Sequence, residues 1–287
     1  MAKSDAAPRT ERIHPASLEG VGLNVLHWGK DGDPVVVLLH GGGANAHWWD
    51  HLAPRLAVAH HVVALDFRGH GDSDHPEPSE TDAFDRDLEA LLQHLGDPRP
   101  VLAGHSMGGH IAVRYTAARG GVRALVALEI AQGAAPRDRR RARLALLARR
   151  SYATREEAVR RYRFLPAASD ANETLRRHIA EHSVRKEEDG RFGFKFDARW
   201  FGLSAQQQPA LEAILCPVLV VRGAESALLT HEGARSLVQA LHDATLAEIP
   251  DAGHNVHLEK PDSVLDAIET FLAQVDLSHE SLTEPGA

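Results

Sequence analysis

Five short stretches of the chain are almost continuously apolar: PVVVLLHG (34–41), HVVALD (61–66), PVLAGHS (100–106), RALVALE (123–129) and PVLVVRG (217–223). Runs of this length, rich in Val and Leu, suit strands covered on both faces, as in a parallel sheet. ATLAEIP (244–250) reads as a further strand, and GLNVLHWG (22–29) as an antiparallel edge strand leading in. Between them the period changes. AFDRDLEALLQHL (83–95), MGGHIAVRYTAAR (107–119), HEGARSLVQALH (231–242) and PDSVLDAIETFLAQV (261–275) repeat their apolar positions at helical spacing. Pro261 fits a first helical turn. Alternation of this kind predicts an α/β fold, with a mostly parallel, doubly wound sheet.

One segment departs from the alternation. No clean strand is predicted from 134 to 208, where 18 Lys and Arg stand against 10 Asp and Glu; the rest of the chain has 14 against 30. The reading is a basic helical cap (lid), 134–208, inserted after the strand at 123–129. The core domain then comprises 1–133 and 209–275, with 276–287 as a flexible tail. The net charge of −8 argues against nucleic-acid binding. No apolar run approaches the length of a membrane span. The polar N-terminal stretch does not look like a signal peptide, so a cytoplasmic protein is expected. Cys216 is the single cysteine and excludes an internal disulfide. The 19 histidines are scattered without H-E-x-x-H or Cys/His ligand spacing and read mostly as surface or structural, with no metal implied.

The chemistry-bearing stretch is G-H-S-M-G (104–108), which matches G-x-S-x-G. A sharp strand-to-helix turn would strain Ser106 and lift its hydroxyl clear of the sheet, and the flanking glycines permit the close approach. The following helix would aim its N-terminus at the site, where developing negative charge is favoured. With HGGGANAHWW (40–49), LDFRGHGDSD (65–74), GHSMGG (104–109) and DAGHNVHLEKP (251–261) in order, the chain resembles the α/β-hydrolase superfamily over nearly its whole length.

That resemblance implies Ser106 as nucleophile and His254 as its base. His257 is the rival, but it falls where the family has a helix approach. The oxyanion donors would be the backbone N–H groups of Met107 and Gly42, with Gly43 able to share the work. Trp49 sits where the family packs an aromatic on its core. Trp48, His105 and Trp200 are candidate pocket residues, although His105, like His40 and His70, also suits a structural role inside its motif. The family's usual acid position, three residues past the glycine of PVLVVRG, holds Ser226 rather than aspartate. Two substitutes remain open. Glu129 ends the strand after the nucleophile's helix, where some superfamily members keep their acid, often with a serine-containing loop like this one. Glu225 is the alternative, and Asp251 the next to test. Asp66 reads as structural.

The implied activity is hydrolysis of a small ester, lactone or amide through an acyl-enzyme, without cofactor or metal. Alternatives are carbon–carbon bond hydrolysis of the meta-cleavage product type, a slow-turnover hydrolase-like receptor, and cofactor-free oxygen chemistry. Arg137, Arg139, Arg140, Arg141 and Arg143 read as ion-pairing or solvated, with a carboxylate-bearing substrate as the sharper alternative. The expected partner is a small molecule; the chain itself would be a monomer or homodimer.

Overall fold

The structure is a computed structural model that describes residues 7–283 apart from 79, 98, 131–150, 169 and 202–208. Ten strands are present among the described residues. They are β1 (Arg9–Ile13), β2 (Leu23–Trp28), β3 (Val35–Leu39), β4 (His61–Leu65), β5 (Val101–His105), β6 (Ala124–Leu128), β7 (Val184–Lys186), β8 (Phe192–Phe194), β9 (Val218–Gly223) and β10 (Ala244–Ile249). Eight of them form one sheet in the order β1-β2-β4-β3-β5-β6-β9-β10. The pairs from β4 to β10 are parallel; β2 is antiparallel to both its neighbours.

The unbroken apolar strands divide between two faces residue by residue. Val35, Val37 and Leu39 of β3 join one core with Phe84, Leu88 and Leu91 of the helix Ala83–Leu95 and Ile111 of the helix Met107–Arg119. Val36 and Leu38 join the opposite core with Leu52, Leu56, Val264, Ile268 and Leu272. Period-two side-chain direction on a sheet covered twice explains why these strands show no polar alternation.

Three expectations change. β2 is not the edge: β1 lies outside it, and its RTERI sequence is polar because its side chains largely face solvent. The segment read as free of strands contains the short hairpin β7–β8. Strands of three residues, VRK and FGF, are too short to show an alternation. The last helix runs Pro261–Thr283, through much of the expected tail. No Gly or Pro interrupts the sequence before Pro285, so nothing breaks the helix earlier.

Between β6 and β9, helices Arg155–Arg161 and Glu173–His182 are N-capped by Thr154 and Asn172. Tyr162, Phe164, Ile179 and Val184 pack with Ala44, Trp48 and Leu258 in a third apolar cluster. This cluster seats the inserted segment on loops that follow β3 and β10. No helix among the described residues is long and apolar enough to cross a membrane.

Candidate active site

Ser106 leaves β5 with φ 50° and ψ −112°, outside the comfortable range of an L-residue. The distortion is held from both sides. Its N–H donates to Leu128 O at 2.9 Å, and its carbonyl accepts from His110 N at 3.0 Å as the helix begins. A Cβ at Gly104 would come within 2.5 Å of Gly108, and one at Gly108 within 2.4 Å of Leu39 O. The two glycines therefore let helix and sheet meet closely enough to present a partly exposed Ser106.

His254 lies in the loop after β10. Its Nδ1 is 3.0 Å from Glu129 Oε2. Glu129 is fully buried just past β6, with φ 55°. Its remaining bonds explain how a carboxylate is tolerated there: Oε1 accepts the Gly223 N–H at 2.7 Å and Oε2 the Ser226 hydroxyl at 2.6 Å. Charge-assisted bonds of this kind offset the desolvation of a buried acid. Ser226, at the position where aspartate was expected, thus turns towards Glu129. Glu225 is exposed, and its N–H donates to Ala252 O at 2.9 Å. The structure brings Glu129 to His254 and leaves Glu225 in solvent.

His257 is fully buried on the short helix Val256–Glu259, and neither ring nitrogen has a partner among the described residues. Its ring stacks on Trp49, and burial pushes its pKa well below the ordinary value. It belongs to the packing. Trp49 is buried in the core as expected.

Gly42 and Gly43 form the centre of a turn closed by Ala44 N to Gly41 O at 3.2 Å, with φ +78° at Gly43. His40 anchors its start. Its Nε2 accepts from Phe67 N at 3.2 Å, which leaves Nδ1–H to donate to Gly41 O at 2.8 Å. Met107 is the first residue of the helix after Ser106, and a Cβ at Gly42 would lie 3.9 Å from its sulfur. The Met107 side chain therefore lies beside the Gly42 turn. Phe201 and Phe196, from the inserted segment, lie 3.5 and 3.6 Å from where Cβ atoms would stand on Gly42 and Gly43. Asp66 is structural: it accepts from Ala46 N, Asn24 Nδ2 and Asp72 N.

Two pocket candidates are buried in packing contacts. His105 is 2% exposed, with Nε2 bonded to the His254 carbonyl at 2.9 Å. Burial pushes its pKa well below the ordinary histidine value. It supports the His254 loop. Trp200 is 1% exposed, packed over Gly69 and Phe84, and donates to Pro76 O at 3.2 Å. Its aromatic neighbours in sequence concealed that destination. Trp48 is buried against Phe164 at the seam between core and inserted segment. The sequence reading passed over Asn255, whose Nδ2 donates to Pro166 O at 2.7 Å and ties the His254 loop to that segment. Of the arginines there, the group at 137–143 lies outside the described residues. Arg176, Arg177 and Arg199 are paired with Glu173, Glu181 and Asp197. A cleft of about 810 Å³ lined by His27, His61 and His94 opens at the amino ends of the strands, away from Ser106.

Comparison with known proteins gives a consistent result. The family model of the α/β-hydrolase fold matches residues 34–261. The chain is 26% identical over 275 residues to the esterase Rv0045c of Mycobacterium tuberculosis, covering 92% of this chain and 89% of the relative. It is 26% identical over 266 residues to 3-oxoadipate enol-lactonase 2 of Acinetobacter baylyi, covering 88% and 94%. The solved structure of E-2-(acetamidomethylene)succinate hydrolase superposes with a TM-score of 0.79 at 23% identity, covering 93% and 99%. Strand order, the strained serine turn and the family match together place this chain in the α/β-hydrolase family, as a hydrolase of that type.

Proposed function

We propose that the protein is a serine hydrolase that cleaves a small ester, lactone or amide through an acyl-enzyme on Ser106. The observation that carries this reading is the 3.0 Å contact between His254 Nδ1 and a fully buried Glu129. With Nδ1–H committed to the carboxylate, Nε2 is the nitrogen left to take a proton. In the first half-reaction the Ser106 oxygen attacks the acyl carbonyl while Nε2 accepts the hydroxyl proton. The imidazolium then returns that proton to the leaving group. Water repeats the sequence on the acyl-enzyme and releases the acid. Glu129 fixes the tautomer and stabilises the imidazolium. The N–H groups of Met107 and Gly42 are the donors for the tetrahedral oxyanion. Residues 134–208 act as the cap, with Phe196 and Phe201 as the roof nearest the oxyanion loop. The esterase and lactonase names of the relatives agree with acyl transfer to water.

A panel of nitrophenyl esters and lactones, with intact-mass detection of a trapped acyl group, tests the reading. Turnover and a fluorophosphonate adduct on Ser106 are expected. Ser106→Ala should lose the adduct and lower kcat by several orders of magnitude. Retained labelling in that variant would falsify the assignment.

A further inference from the structure

Away from Ser106, four side chains converge from two parts of the chain. His47 and Asp50 belong to the single turn Ala46–Trp49 and its C-terminal end, immediately after the oxyanion loop. His178 and His182 lie four residues apart on the helix Glu173–His182, on one face. Their ligand-capable atoms all lie within 4.8 Å of one another. Asp50 Oδ2 is 2.6 Å from His178 Nε2 and 2.9 Å from His47 Nδ1. The His182 ring stacks on His47 with centroids 3.8 Å apart, and His178 is 4.7 Å from His182.

We propose that His47, Asp50, His178 and His182 form a site for a divalent transition metal, Zn²⁺ foremost, that clasps the cap segment to the core beside the oxyanion loop.

The donor set fits that chemistry. Three imidazoles and one carboxylate match the nitrogen and oxygen ligands of four-coordinate zinc. A bound ion would sit between Asp50 Oδ2 and His178 Nε2, and the two atoms would move from 2.6 Å to about 3.3 Å apart, as bonds near 2.0–2.1 Å in a tetrahedron require. Asp50 Oδ1 is also buried without a hydrogen-bond partner among the described residues. A buried carboxylate oxygen without a protein partner is a place for a further ligand. The site joins elements already in register, since Asn45, two residues before His47, donates through Nδ2 to Oγ of Ser183, the residue after His182, at 2.9 Å.

The test uses the full chain, stripped with a chelator and titrated with Zn²⁺ and separately with Co²⁺. One equivalent should remain after gel filtration by elemental analysis. The Co²⁺ form should show the intense visible bands of four-coordinate cobalt. At saturating metal the thermal midpoint should rise by about 5 °C or more, the effect of a ligand well above its Kd on a chain of this size. His178→Ala with His182→Ala should lose the equivalent, the bands and the shift; the milder His182→Gln should weaken binding at least tenfold. Metal-free midpoints and far-ultraviolet circular dichroism establish that these variants fold. His254→Ala and Ser106→Ala should retain the full equivalent, which keeps this result separate from the assignment of Ser106. Absence of stoichiometric binding, binding that survives His178→Ala/His182→Ala, or binding abolished by His254→Ala overturns the proposal.

Discussion

At the scale of single residues, the acid is the point on which the chain departs from the commonest pattern of its family. Glu129 is buried and accepts from Gly223 N–H, the Ser226 hydroxyl and His254, whereas Glu225 is exposed. Glu129→Gln keeps the shape but replaces an anion with an amide that can donate, which favours the wrong imidazole tautomer. A loss on the order of 10⁴ in kcat is expected, the precedent for an amide in the orienting position. Glu225→Gln should leave kcat within about threefold, because a solvated carboxylate couples weakly. Steady-state kinetics at matched folding decides between them; a crippled Glu225→Gln beside a nearly normal Glu129→Gln would move the acid to the later loop. Ser106 and Glu129 were legible as candidates because each directly follows a strand that the sequence declares, and His254 because it stands in the loop between the last strand and the helices after it. The surroundings of His105 and Trp200 were not legible. Their roles depend on the His254 carbonyl and on Gly69, partners remote in sequence. His178 and His182 did carry a signal, a four-residue spacing on a helix, but His47 and Asp50 lie about 130 positions earlier and only the fold unites them.

At the scale of elements, the site depends on how closely the helix Met107–Arg119 approaches β3. Gly108 lies inside this helix, and propensity alone makes Gly108→Ala stabilising by about 1 kcal/mol. The structure gives the opposite sign. The new methyl would stand 2.4 Å from Leu39 O and 2.7 Å from His40 O, backbone atoms that cannot rotate away. Overpacking of this kind costs about 1–3 kcal/mol. Gly108→Ala should therefore lower the thermal midpoint by several degrees and reduce Ser106 acylation, since the helix carries both Ser106 and Met107 away from Gly42. A raised midpoint with unchanged acylation would show that the contact relaxes freely. The same elements show what the hydrophobic pattern can declare. β3, β4, β5, β6 and β9 were readable because burial on both faces leaves continuous apolar runs. β1 was hidden because an exposed edge strand has no such run, and β7–β8 because three residues cannot display a period.

At the scale of the whole molecule, the histidine content becomes a stability property. Burial is the largest influence on His27, His40, His51, His60, His61, His70, His75, His105, His182 and His257, and it lowers the pKa of each. In the unfolded chain these groups titrate near the ordinary value of 6.5. Below that pH the unfolded state binds protons that the folded state refuses, so the stability they contribute is present above 6.5 and is lost as pH falls towards the folded values, about 4 for His27 and His182. His178 has the opposite sign: its pKa is raised by Asp50, so its contribution is present below the ordinary histidine value and is lost as pH rises through the folded one. One group of that sign cannot balance ten of the other. Each proton of difference steepens the dependence by about 1.36 kcal/mol per pH unit. Urea midpoints measured from pH 8 to pH 5 at constant ionic strength should therefore fall steeply from about pH 6.5 downward, with a slope of several protons. A profile that stays flat from pH 8 to pH 5 would mean that the buried histidines gain compensating partners on protonation, and that the packing around them yields more readily than their burial implies.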